Sequence, residues 1–181
     1  MKENLIEILK FLLLILVTVV PFRIFVAEPY VVSGISMSNT LETGHYLIIN
    51  KFKHKFTGLE RGDIVVFNPP HDKDKAYIKR VIGTPGETIR IDNEEVFVRA
   101  VGSNEFVKIN EPYIKNPPRL NDQRTLGEGE YYVMGDNRDN SSDSRSWGAV
   151  DESTIKGEPF IRLFPLSRIS YMPGHYDSYG I

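Results

Sequence analysis

The most restrictive feature of this chain is its beginning. "FLLLILVTVVPF", Phe11 to Phe22, is an uninterrupted apolar run of 12 residues, followed by a segment with an unrelated pattern. Twelve residues of helix rise only about 18 Å, short of the roughly 30 Å hydrocarbon core of a bilayer. Widening the window to Ile8–Ala27 gives 20 residues, about 30 Å as helix, with Lys10 and Arg23 near its ends where long side chains reach the interface. One membrane-spanning helix is therefore expected. A cleavable leader fits less well, because "IFVA" before Glu28 puts Phe25 where an A-x-A pattern needs a small side chain. No polar face interrupts Phe11 to Val20, which disfavours a helix of a soluble domain. Lys2 and Lys10 precede the span, so the short N-terminal tail is expected in the cytoplasm. Residues after about Tyr30 then lie on the extracytoplasmic side of a single-pass cytoplasmic (inner) membrane protein. The expected division is an anchor over residues 1–28 and a β-rich domain over 29–181, with 93–130 as a variable insertion.

From Val31 the period changes to short runs rich in Val, Ile, Tyr and Phe: "YLIIN", "DIVVFN", "YIKRVIG", "ETIRID", "EEVFVRA", "FVKIN" and "YYVMGD". Gly, Pro and Asn/Asp clusters separate them, and no helical pattern of several turns occurs. The expected fold class is mainly β, an antiparallel sandwich or open barrel, preceded by one N-terminal transmembrane helix. "ETIRIDNEEVFV" reads as a hairpin turning at Asp92 and Asn93, while Asn104 to Arg124 carries three prolines and reads as a longer excursion.

Composition narrows the chemistry. A net charge of -2, with no Arg/Lys block longer than a pair, gives nucleic acid no basic face. Cysteine is absent, which removes a thiol nucleophile and Cys-ligated zinc. The four histidines are scattered without metal-ligand spacing, so neither a metal nor a cofactor is expected.

Three segments could carry a reaction. "SGISMSNTL" offers hydroxyls in a tight turn after a strand, a pattern that turn formation alone also explains. "AYIKRVIG" places Lys79 inside an apolar strand, where it either faces solvent by alternation or is desolvated. Burial favours the neutral amine, which is what activating a serine without histidine requires. Arg80, its neighbour, must then point to the opposite face. "MGDNRDNSSDSRSWG" is a dense polar loop in which Asp136, Arg138, Asp139, Asp143 and Arg145 can pair locally and make the loop rigid.

Taken in order, the apolar span, "SGISMSNTL", "RGDIVVF", "YIKRVIGTPGE" and "GDNRDNSSDSRSWG" resemble the type I signal peptidases, membrane-anchored serine proteases that remove signal peptides from exported proteins. The resemblance implies Ser36 as nucleophile and Lys79 as general base, in the Ser-Lys variant of triad logic. It implies that Ser141 hydrogen-bonds and orients the lysine, and that Asp143 and Arg145 form a supporting ion pair. The family's oxyanion hole uses the nucleophile's backbone N–H and, in some members, a serine hydroxyl two residues earlier; here that position is Gly34. Asn39 stands where the family usually has proline, and its side chain is expected to hold the turn by its own hydrogen bond. A signal-peptide segment would add as a strand beside Val31–Gly34 and Ala76–Ile78, with pockets lined by Tyr30, Val32, Gly34, Leu41, Tyr77 and Ile78. Apolar surface beside the site would rest on the lipid bilayer, near the export translocon. The alternatives are a processing peptidase dedicated to one substrate class, such as a pilus or conjugation protein, and a catalytically silent peptide-binding module. A self-cleaving repressor of the LexA-like type shares the implied fold but carries a DNA-binding unit in place of a span.

Overall fold

The computed structural model describes residues 2–21 and 27–179. Helix α1 (Lys2–Pro21) includes an 18-residue stretch, Asn4–Pro21, that is long and apolar enough to cross a membrane, none of it buried against the rest of the chain. It starts at Lys2 instead of Ile8, because Leu, Glu and Lys in the first turns are good helix formers whatever their polarity. Ala27, the expected end of the span, is the first residue of a strand. The expected Arg23 flank and the Phe25 that argued against cleavage lie outside the described residues.

The strands are β1 (Ala27–Val31), β2 (Tyr46–Asn50), β3 (Ile64–Phe67), β4 (Tyr77–Gly83), β5 (Thr88–Asp92), β6 (Glu95–Arg99), β7 (Val107–Lys108), β8 (Asp122–Thr125), β9 (Glu130–Met134), β10 (Val150–Asp151), β11 (Ile155–Phe164) and β12 (Ser170–Tyr171). Two single-turn helices, α2 (His54–Thr57) and α3 (Ser144–Trp147), interrupt them. An eight-stranded sheet runs β1-β2-β11-β3-β4-β9-β10 with β12 added to β11, and a four-stranded sheet runs β7-β6-β5-β8. Every pairing is antiparallel. The mainly β, open-barrel class expected from the sequence is the class observed.

The larger sheet curls at β11. This strand pairs with β3 through Ile155 and Gly157, then with β2 from Glu158 to Phe164, and register shifts interrupt both ladders. Such bulges bend a strand and raise its twist. Gly157 is required there, because a Cβ would lie 2.2 Å from the Asn50 carbonyl oxygen. Pro159 sits beside a shift, where a missing N–H costs the ladder least. This strand, the longest among the described residues, is not among those expected from the sequence. The β5–β6 hairpin does form, turning one residue later than expected, at Asn93 and Glu94 with φ of 48° and 65°. That pair of left-handed residues suits the twist of the flanking strands.

Three apolar clusters fill the interior. One joins the small sheet to β9 through Ile89, Ile91, Val96, Val98, Tyr132 and Met134. A second packs Val65, Phe67, Val81 and Val133 across β3, β4 and β9. The third holds Val32, Met37, Leu41, Leu47, Ile49, Ile64 and Val66 beneath the turn that follows β1. Strand β4 is thus enclosed on both faces.

Candidate active site

Ser36 lies in the turn between β1 and β2. The turn closes on itself through Ser38 N–H to the Ile35 carbonyl at 3.0 Å and Leu41 N–H to the Met37 carbonyl at 2.8 Å. Met37 and Leu41 drop into the third apolar cluster, which pins the turn from below and leaves Ser36 on its open side. Leu41 is therefore a core residue and not a pocket wall, which corrects the expectation that it touches substrate. Asn39 has φ of 87°, a left-handed conformation closed to proline, whose ring fixes φ near -65°. Its side chain makes no hydrogen bond among the described residues, so asparagine suits this turn through backbone tolerance and not through the expected side-chain bond.

Lys79 lies in the middle of β4, opposite Val65 of β3, and is only 4% exposed. Its Nζ donates to Ser36 Oγ at 2.8 Å and to the Ile78 carbonyl at 2.9 Å, and sits 5.2 Å from the centroid of the Tyr77 ring. No carboxylate pairs directly with it among the described residues. Burial pushes the ammonium down from 10.5 to about 8, against the weaker opposing pull of Asp143 and Asp136. Burial thus makes the proton on this amine easier to lose, and the amine lies within hydrogen-bond distance of a hydroxyl.

The loop after β9 carries the remaining expected residues. Asp143 is fully buried, caps α3 by accepting from Arg145 N–H, and accepts from Gly135 N–H at 3.0 Å. Arg145 grips it with both ends of the guanidinium, Nε to Oδ1 at 2.7 Å and Nη2 to Oδ2 at 2.8 Å. The expected ion pair is present. Ser141 is close by, but its Oγ is buried without a hydrogen-bond partner, so the expected bond to the lysine is not formed. The amine's observed bonds run to Ser36 and to its own strand instead.

The other charges of this loop pair at long range, not locally as expected. Arg80 binds Asp136 through Nε at 2.8 Å and Nη2 at 2.7 Å, with both side chains almost wholly buried. Arg80 also donates to the carbonyls of Gly62 and Gly174 and lies over the Tyr113 ring at 3.9 Å. Thr40 donates its hydroxyl to Asp136 Oδ2, tying the turn that carries Ser36 to the same pair. Arg138 binds Glu111, a residue from the segment that no motif covers. Asn137 N–H donates to the Ser36 carbonyl at 3.0 Å, and Asn137 Nδ2 donates to the Ile35 carbonyl at 3.0 Å. Gly135 permits this approach, because a Cβ there would meet Ser36 O at 2.5 Å and Ser141 Oγ at 2.3 Å. Thr40, Arg80, Glu111, Asp136 and Asn137 were not marked as site residues by sequence. Unusual loop composition pointed at two of them, but no spacing signals a partner 56 residues away.

A groove of about 460 Å³ opens beside Ser36 and Lys79, lined by Tyr30, Val32, Gly34, Tyr77, Ile78 and Asn140 among others. Five of the six expected pocket residues are therefore brought together. Its two walls have free edges: β1 ends the large sheet, and β9 pairs with β4 only from Arg80 onward, leaving Tyr77–Lys79 unpaired on that side. Burial, with the Glu28 carboxylate adding to it, pushes the Tyr30 hydroxyl up to about 12, so it stays a neutral donor.

The family described as "Signal peptidase, peptidase S26" matches residues 5–164. "Signal peptidase I P" of Bacillus subtilis subsp. natto is 40% identical over 181 residues, covering 94% of this chain and 95% of that protein. "Probable signal peptidase I-1" of Synechocystis sp. is 38% identical over 175 residues, covering 92% and 84%. A crystal structure of a signal peptidase I from Enterococcus faecalis V583 aligns with a TM-score of 0.48 at 27% identity, over 55% of this chain and 95% of that one.

Proposed function

The chain belongs to the signal peptidase family S26, a family of serine proteases that cleave signal peptides, and from that premise we propose that it cleaves exported preproteins with Ser36 and Lys79 as its dyad. The observation that carries this reading is the 2.8 Å approach of a buried lysine, without a paired carboxylate, to a serine hydroxyl at the floor of a peptide-sized groove. Neutral Lys79 takes the Ser36 proton as Oγ attacks the scissile carbonyl, then returns it to the leaving amine. The resulting ester is hydrolysed by a water that the same amine deprotonates. The Ser36 N–H stabilises the oxyanion, and the Asp143–Arg145 pair holds the loop that backs the lysine.

The substrate enters extended, adding as a strand between the free edges of β1 and of Tyr77–Lys79. Tyr30, Val32, Tyr77 and Ile78 then bound narrow apolar pockets that favour alanine-like side chains at the first and third positions before the cut. The segment before β1 serves as a single-pass anchor, and the chain from β1 onward as the extracytoplasmic catalytic domain with 93–130 as its variable part. Supporting lipid contact, Val31, Tyr46 and Phe164 form one exposed apolar row across β1, β2 and β11, at the end nearest Ser36. That row would lay the groove against the bilayer where preproteins leave the translocon.

Purified Ser36→Ala and Lys79→Ala proteins, given a preprotein with an A-x-A site, are expected to lose cleavage by several orders of magnitude while staying folded. Lys79→Arg is expected to be equally dead, because a guanidinium does not deprotonate at working pH. Persisting cleavage in any of the three overturns the dyad. Running the wild-type protein on both general preproteins and a pilin-type substrate separates a general from a dedicated peptidase.

A further inference from the structure

Gly34 removes the side-chain donor that some members of the family place in the oxyanion hole, and its φ of +96° makes any replacement there strained. The hole is left with the Ser36 N–H, which no acceptor engages among the described residues. That N–H belongs to the peptide unit whose carbonyl is Ile35 O. Asn137 Nδ2 donates to this same carbonyl at 3.0 Å, and Ser38 N–H donates to it at 3.0 Å, so both of its lone pairs are used. The group facing the carbonyl must be the amide nitrogen, since a carbonyl oxygen only accepts; Asn137 Oδ1 in turn accepts from Asn140 Nδ2 at 3.2 Å. On the next peptide unit, the Asn137 backbone N–H holds the Ser36 carbonyl at 3.0 Å.

We propose that Asn137 is a positioning residue for the oxyanion hole, holding the peptide planes on both sides of Ser36 and polarising the Ser36 N–H through its bond to the Ile35 carbonyl. The inference rests on the dyad reading above and goes beyond it. Two physical effects act together. Gripping the carbonyl fixes the direction in which the N–H points, so that no reorientation is needed as negative charge develops on the substrate oxygen. Hydrogen bonds in a chain also strengthen one another, so an amide whose carbonyl accepts two bonds donates better from its nitrogen. With glycine at position 34, that strengthened donor carries more of the oxyanion stabilisation.

The test uses the full chain in detergent micelles with two probes: a peptide containing an A-x-A site, and a matching peptide boronate whose tetrahedral adduct with Ser36 carries oxyanion character. Because Asn137 is only half-buried, Asn137→Ala leaves no core cavity, and it keeps the backbone bond to Ser36. It is expected to lower kcat about tenfold to a hundredfold, a part of what losing a whole donor costs. KM should stay within about twofold, and boronate affinity should fall in parallel with kcat. The pH at which the rate levels off should not move. Asn137→Asp, nearly isosteric but unable to donate, should fall further. The inference is overturned if kcat of Asn137→Ala stays within twofold of wild type, if the loss is all in KM, or if boronate affinity is unchanged. Ser36→Ala measured alongside separates the two levels: cleavage that survives it refutes the dyad, whereas a dead Ser36→Ala with a fully active Asn137→Ala refutes only the role of Asn137.

Discussion

The two faces of β4 hold neighbouring cations in opposite situations. On one face Lys79 is buried without a paired carboxylate, and its charge is expensive. On the other, Arg80 is buried just as deeply, yet it is clamped by Asp136, two backbone carbonyls and the Tyr113 ring. Desolvation acts on both, but the ammonium starts from 10.5 and the guanidinium from 12.5, and only the guanidinium has a carboxylate partner, so the lysine is pushed down while the arginine stays charged. One residue of sequence thus separates a cation whose proton is made easier to lose from a cation held in a paired scaffold. Site chemistry in this molecule is written as much in where the acids are withheld as in where they are supplied.

The largest effect should come from removing the unpaired cation. Lys79→Met is expected to lower cleavage by at least about four orders of magnitude. The same change should stabilise the fold by up to about 3 kcal/mol near pH 7, since it removes a charge whose burial lowers its pKa from 10.5 to about 8. Assay and thermal melting of one preparation check both. If the variant melts below wild type, the lysine is not carrying the burial cost described.

Breaking the paired cation should do the reverse. Asp136→Ala leaves Arg80 buried and unpaired, at a cost of about 3–5 kcal/mol in denaturant unfolding. The double change Arg80→Met with Asp136→Leu should recover most of that loss. A single variant as stable as wild type would show that water or another group replaces the carboxylate.

A gentler probe is pH. With Lys79 as base, kcat/KM should rise about tenfold per unit below pH 8 and level off above it, because burial lowers the ammonium to about 8. The stability sign is set by the same group: between about 8 and 10.5 the unfolded chain binds more protons than the folded one, so this lysine's burden on stability eases as pH rises. Lys79→Met should abolish that slope in melts taken from pH 8 to 10.

The smallest effect concerns the turn that carries Ser36. Asn39→Gly should change stability by less than about 0.5 kcal/mol, because glycine accepts φ of 87°. Asn39→Pro should cost more than about 1 kcal/mol and lower the rate, although proline is what the family motif carries. A melting curve of the proline variant that overlays wild type would mean the turn switches backbone conformation freely.

Much of this was legible in the chain. Local patterns marked the apolar helix, most of the strands, the serine turn and the lysine inside an apolar run, because periodicity and turn chemistry act over a few residues. The Asp143–Arg145 pair, its partners two positions apart, was legible through the family resemblance, whereas the local pattern alone left five charges to choose among. β11 was hidden because Gly157 and Pro159 serve a bend that only the neighbouring strand explains. Leu41 looked like a pocket residue by motif, yet the fold needs its side chain to pin the turn.

The sequence by itself determined the kind of molecule, an apolar N-terminal helix long enough to cross a membrane joined to a β-rich peptidase domain, and its family resemblance pointed to Ser36 and Lys79. Only tertiary structure decided that Lys79 meets Ser36 across 43 residues of chain, that Arg80 finds Asp136 across 56, and that Asn137 grips the peptides around Ser36. Composition and period are local properties of a chain. Desolvation and long-range pairing exist only once distant segments share one interior, and these set the chemistry of the site.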